Sequence, residues 1–192
     1  MEKSKNSTAP DQGKTLVDPG PKVDTDLRIA EAVGVVKGQY RPRADRLVFD
    51  GYTLAWQGAN PASWTAFSGS PKEDSAENIA DIGPTPQGPF SIDPADIQQL
   101  VPSDDWGSYR IRIVPYRSTV DRMEKCFQLI RTGMYVHGGN VKGTHGCIEL
   151  NDDAYEKAFF ERLTAYRKPI ELEVRYVGER EKKFEYAACP YP

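Results

Sequence analysis

Residues 137–147 read His137-Gly-Gly-Asn-Val-Lys-Gly-Thr-His145-Gly-Cys147, with Ile148-Glu-Leu150 directly behind. The chain has only 2 histidines and 3 cysteines in 192 residues, and this stretch takes both histidines and one cysteine. A thiol is a weak nucleophile until a base removes its proton, and imidazole is the side chain whose pKa suits that step near neutrality. The pattern points to a cysteine nucleophile with a histidine base. Gly138, Gly139, Gly143 and Gly146 let the chain turn tightly and approach a substrate closely.

Outward from this stretch, the flanks read as strands. Residues 109–114, 127–130, 134–137 and 147–150 alternate apolar and polar side chains. Further upstream, Arg46-Leu-Val-Phe49 alternates, Asp50-Gly51 supplies a tight turn, and Tyr52-Thr-Leu-Ala-Trp56 returns as a hairpin. Residues 64–69 and 169–177 read as two more strands. Downstream, Asn151-Asp-Asp offers an N-cap and acidic first turn for a helix to about Tyr166, with Tyr155, Phe159, Leu163 and Tyr166 on one face. Many strands and one firm helix make a mainly β domain over 46–177. Residues 1–45 read as a flexible polar leader (to about 25) plus one short element at 26–36, and 178–192 as a charged tail.

Composition narrows the function classes. Hydrophobic residues make up 39%, charged residues 28%, and net charge is −3, as for an ordinary soluble surface. Lys and Arg are scattered among acids, which argues against nucleic acid, and no apolar run reaches the ~20 residues of a membrane helix. Met-Glu-Lys-Ser-Lys-Asn-Ser-Thr has no apolar stretch behind it, so no Sec signal is read there and the chain is expected to be made in a cytoplasm. Cys126 and Cys189 are expected as two unlinked, partly buried thiols, the alternative being a bond between them that leaves Cys147 as the free reactive thiol. No Cys-x-x-Cys exists, and no cofactor or metal is expected.

At 137–152 the chain resembles the catalytic signature of the L,D-transpeptidase family, the YkuD-like domain: an upstream His, a spacer, then Ser/Thr-His/x-Gly-Cys-apolar. Ser68-Gly69 and Thr85-Pro86-Gln87-Gly88-Pro89-Phe90-Ser91-Ile92 are similar to the family's Ser-x-Gly and Thr-Pro-x-Gly-x-Phe/Tyr-x-Ile segments. The two likenesses fall in the family's order. They imply a β-sandwich of mixed sheets with one main helix after the cysteine.

The resemblance implies acyl transfer through a thioester on Cys147. His137 would be the base, the Gly138 backbone carbonyl would orient its ring, and the N–H groups of Gly146 and Cys147 would hold the oxyanion. His145, Thr144, Asn140, Ser68 and Glu149 would support the site or meet substrate. The implied substrate is the peptidoglycan stem tetrapeptide, attacked at the diamino acid carbonyl with D-Ala leaving. Water as acceptor makes an L,D-carboxypeptidase; a D-amino acid gives exchange; a second stem gives a cross-link.

Two departures separate the chain from the cross-linking members. His137 and Cys147 are only 147 − 137 = 10 residues apart, and Glu149 stands where an Arg is usual. Carboxylate recognition then falls to Arg110, Arg112 or Arg131, and among the tryptophans Trp64 is the one expected near the cleft. The short spacing and the missing signal resemble type VI secretion effectors that act in the periplasm of target bacteria. Such effectors imply secretion components and a periplasmic immunity protein as partners. The alternatives are a self-wall enzyme whose signal has been removed and a non-catalytic wall-binding module.

Overall fold

The computed structural model describes residues 34–70, 75–141 and 143–192. The expected leader at 1–25 and most of the expected element at 26–36 lie outside them. Val36 makes a parallel bridge to Tyr116, and Tyr40 packs edge-on against the same ring at 5.4 Å, so this part of the leader region docks on the domain.

The domain is mainly β, as the alternation implies. Strand β1 (Arg46–Phe49) buries Leu47 and Phe49, and β2 (Thr53–Gln57) buries Leu54 and Trp56. Between them the Asp50 carboxylate accepts from the N–H groups of Tyr52 and Thr53, both at 2.8 Å, which fixes the turn. The next strands are β3 (Ala62–Ser68), β4 (Gly88–Ile92), β5 (Gln98–Ser103), β6 (Gly107–Arg112) and β7 (Val114–Pro115). Strands β8 (Tyr135–His137), β9 (Ile148–Leu150) and β10 (Ile170–Val174) complete the set. Their lateral order is β5-β6-β8-β9-β3-β2-β1-β10-β4-β7. β3 is the joint: Ala62–Thr65 pair with β2, and Ala66–Ser68 pair with β9.

The site rests on the β6-β8-β9-β3 part of this ladder. Strands β8 and β9 run parallel, with Val136 opposite Ile148 and His137 opposite Glu149. Side chains alternate between faces, so one face carries Ile111, Val136 and Ile148 in register, and all three are fully buried. Helix α2 (Asp153–Tyr166) joins Phe159, Phe160 and Leu163 to that core, each burial being favourable by roughly 1.5–3 kcal/mol. The opposite face presents the row Arg110, His137, Glu149.

Helix α2 starts on Asp152, whose carboxylate accepts from Ala154 N–H at 2.7 Å, and stops at Arg167 in the left-handed region (φ 59°). Its buried face differs from the expected stripe. Tyr155 is 40% exposed, and Glu156 is buried in its place. The reason is local: Ser108 and Tyr109 present two N–H groups that need an acceptor, and Glu156 supplies it.

Three further expectations are corrected. Residues 127–130 form no strand; helix α1 (Arg117–Arg122) runs into a π-helical turn, Met123–Phe127, closed by Gln128 at φ 53°. Thr119, Val120 and Met123 are buried at helical spacing, which outweighs the loose alternation read there. Cys126 and Cys189 are bonded to each other, across Cα atoms 5.8 Å apart. A link across 63 residues stabilises the fold by about 4 kcal/mol on loop-closure grounds. Residues 178–192, read as a tail, carry helix α3 (Gly178–Phe184), which buries Phe184 against Tyr176. Among the described residues no helix is long and apolar enough to cross a membrane.

Candidate active site

Cys147 sits directly before β9, and His137 ends the neighbouring β8, so the pairing of these strands brings the two together on one face. Both line an open cleft of about 420 Å³ with Asp105, Trp106, Gly133, Val141, Gly143, Thr144 and His145. Cys147 is the one free cysteine of the chain and is 7% exposed. A larger groove of about 650 Å³ between β5, β6 and α2 holds Tyr109, Phe160 and Glu156, and neither a cysteine nor a histidine lines it.

The His137 ring is oriented by backbone. Its Nδ1 lies 2.5 Å from the Gly138 carbonyl oxygen. A carbonyl only accepts, so Nδ1 carries the proton and Nε2 keeps the lone pair. Gly138 is held from behind: a Cβ there would lie 2.2 Å from Glu156 Cδ, so only glycine lets that carboxylate close in. Glu156 accepts from Ser108 and Tyr109 N–H at 2.8 and 2.7 Å and so ties the start of α2 to β6 beside the histidine. Burial raises its pKa, and those N–H groups partly counter the rise. Trp106 lies over the His137 ring, centroids 4.8 Å apart.

The turn into Cys147 is held by a relay of hydroxyls. Ser68 Oγ accepts from Thr85 N–H at 2.8 Å, and Thr85 Oγ1 donates to the Gly146 carbonyl at 2.8 Å. Thr144 Oγ1 accepts from Gly69 N–H at 3.0 Å and donates to the Cys147 carbonyl at 2.7 Å. Arg131, 6% exposed, donates to the carbonyls of Glu77, Gly83, Pro84 and His145. Gly146 (φ +109°) passes so close that a Cβ would meet Arg131 Nη2 at 2.2 Å. The two likenesses of the sequence, 68–92 and 137–150, are therefore the two halves of one cradle.

Other expected residues take different places. Ser68 is fully buried behind the turn and supports it, away from the cleft. The Gly146 N–H donates to Thr144 Oγ1 at 3.3 Å. His145 is exposed on the cleft wall; Asn140 is exposed, and its N–H ties the loop to the Asp104 carbonyl at 2.7 Å. Trp64, expected near the cleft, is core and packs on Phe159 at 5.2 Å. Trp106 is the tryptophan of the site. Arg131 is consumed by carbonyls, and Arg110 and Arg112 both lie outside the cleft lining; of the two, Arg110 is the one opposite His137 and packed on Trp106. Sequence reading missed Trp106, Glu156 and the roles of Thr85 and Arg131; of these only Thr85 lay in a quoted motif.

A cysteine paired with histidine can hold a thiolate, but burial here pushes the Cys147 thiol up to about 11; the Tyr135 backbone, Arg131 and Arg110 pull only partly the other way. Burial also lowers the pKa of His137, against its bond to Gly138, and Arg110 lowers it further. Near neutral pH the Cys147 thiol and the His137 imidazole that line the cleft are both uncharged. Iodoacetamide alkylation of Cys147 is expected to climb with pH toward about 11. A plateau already reached near neutrality would show a preformed thiolate.

Glu149 is 1% exposed; one carboxylate oxygen accepts from Gly143 N–H at 3.2 Å, and the other has no partner. Burial raises its pKa from 4.5 to about 7, countered by the Gly143 N–H and helped by Asp105. The unfolded chain gives up this proton first, so stability falls as pH rises through that window. Glu149→Gln is expected to flatten the fall, measured as urea midpoints at several pH values; Glu156 contributes a slope common to both proteins. Equal slopes in variant and parent would refute the assignment.

A comparison with protein-family models and one with curated proteins each find no match. Among solved structures, the Bdellovibrio bacteriovorus protein Bd1075 is similar, with 17% identity over 70% of this chain and a TM-score of 0.45. The match covers 48% of that protein's chain, so this chain spans about half its length.

Proposed function

We propose that the protein is a cysteine-dependent acyl-transfer enzyme of the L,D-transpeptidase type, acting on peptidoglycan stem tetrapeptides. One observation carries the reading: the only free thiol shares a cleft with a histidine whose Nδ1 is committed to its neighbour's carbonyl, leaving Nε2 as proton acceptor. That is the pairing nucleophilic catalysis requires. Nε2 takes the thiol proton as sulfur attacks the diamino acid carbonyl, and the Cys147 N–H is the donor assigned to the developing oxyanion. The C–N bond then breaks, imidazolium returns its proton to the leaving D-Ala amine, and a thioester remains. Water resolves it to a tripeptide and regenerates the thiol; a D-amino acid resolves it to an exchanged stem. A cleft open to small acceptors favours trimming and exchange over cross-linking.

The test is mass spectrometry of muropeptides after incubation of tetrapeptide stems with the protein, with and without added D-amino acid. Loss of D-Ala and a mass shift to the added amino acid are expected. Unchanged stems, or cleavage at another bond, would overturn the reading.

We propose the periplasm of target bacteria as the place of action, reached by type VI secretion with an immunity protein as counterpart. The Cys126–Cys189 bond supports an oxidising compartment, since such links persist there and are rare in the cytosol. Expression with an added periplasmic signal is expected to damage Gram-negative cells while cytoplasmic expression does not; equal toxicity in both places would refute the compartment.

A further inference from the structure

We infer that Arg110, at the edge of the cleft beside His137 and Trp106, is the carboxylate-binding residue, holding the carboxylate of the leaving D-amino acid and, in the reverse direction, that of the incoming acceptor. The inference rests on the acyl-transfer reading above. Arg110 is the direct cross-strand neighbour of His137, so the two side chains stand on one face of the sheet. Its guanidinium is fixed: the carbon lies 5.2 Å from the Trp106 ring centroid and 4.8 Å from that of Tyr135, and Nε donates to Gln98 Oε1 at 2.7 Å. The terminal nitrogens are left to recognise a ligand, and among the described residues no carboxylate forms an ion pair with this arginine. Guanidinium is well suited to the task, because its planar fork matches a carboxylate.

The chemistry of the leaving group places its carboxylate here. The departing nitrogen must reach His137 to collect its proton. In an α-amino acid the carboxyl carbon is two covalent bonds from that nitrogen, so the charge lands beside the imidazole. The charged residue lining the cleft itself is Asp105, which would repel it. Arg131 is spent on four backbone carbonyls. Acceptor attack on the thioester runs the same step backwards, so the same cation selects amines that carry an α-carboxylate over simple amines.

The experiment uses the purified full chain and two tetrapeptide muropeptides, one with the D-Ala carboxylate free and one with it amidated. Exchange is read in parallel with D-methionine and D-methioninamide. Amidation is expected to lower kcat/KM by about 10- to 100-fold, the loss of a charge-assisted contact. Arg110→Ala should lose a similar factor on the free substrate and nothing further on the amide, with Arg110→Lys recovering part. Equal cleavage of both substrates by the parent protein overturns the inference, and the comparison needs no variant to fold. Equal losses by Arg110→Ala on both substrates also overturn it, because the arginine would then act by positioning His137. Cleavage of neither substrate defeats the acyl-transfer reading itself, and the role of Arg110 with it.

Discussion

Replacing Cys147 with Ala is expected to abolish release of D-Ala from tetrapeptide stems, a loss of at least about 10⁴-fold as for other removed nucleophiles. No other thiol can substitute, because Cys126 and Cys189 are bonded to each other. The fold should survive. The turn into position 147 is held through the Gly146 and Cys147 carbonyls by Thr85 and Thr144, and neither contact involves the sulfur. The check is muropeptide mass spectrometry alongside a thermal melt. Trimming above a few per cent of the parent rate, with an unchanged melt, would remove Cys147 from the mechanism.

Arg131→Ala is expected to be the most destabilising single change at the site, by about 3–5 kcal/mol. The guanidinium satisfies four carbonyls, from Glu77, Gly83, Pro84 and His145, at a position almost closed to solvent. Truncation strands those oxygens and opens a void between the 77–85 segment and the turn before Cys147. Activity should fall with stability, since the turn loses the contact at His145. The measurement is the urea midpoint at fixed pH. A shift worth less than about 1 kcal/mol would mean that water or a rearranged loop replaces the arginine.

The parts of this molecule legible in its sequence are those where local chemistry and tertiary demand agree. Leu47, Phe49, Leu54 and Trp56 alternate around Asp50-Gly51, and the hairpin follows. Asp152 caps a helix whose Phe159 and Leu163 reach the core. Disagreement hid the rest. Strand β5, Gln98–Ser103, is an edge strand with nearly every side chain exposed and a proline inside it, so it has no apolar period to read. The tail looked solvated because α3 is charged along most of its length, although Phe184 alone anchors it in the core.

The candidate site divides in the same way. His137, Cys147 and the Gly-rich spacer were readable because the scarce residues are neighbours in sequence. Glu156, Trp106 and the carbonyl-binding role of Arg131 were not, because each acts on the motif from another segment. Arg131 reaches Glu77 across 54 positions, and Glu156 reaches Ser108 across 48. A buried acid under a glycine, or a buried guanidinium on carbonyls, leaves no spacing pattern to detect.

The bond between Cys126 and Cys189 has a topological consequence. His137, Cys147, Glu149 and Glu156 all fall between its ends, so both members of the Cys-His pair lie inside one covalent ring. A protease that cuts the exposed Val141 region, or any other point of that ring, does not release a fragment. The two pieces stay tethered, and the noncovalent contacts around β8, β9 and α2 need not reassemble from separate molecules. Nicking can therefore precede loss of the cleft rather than cause it.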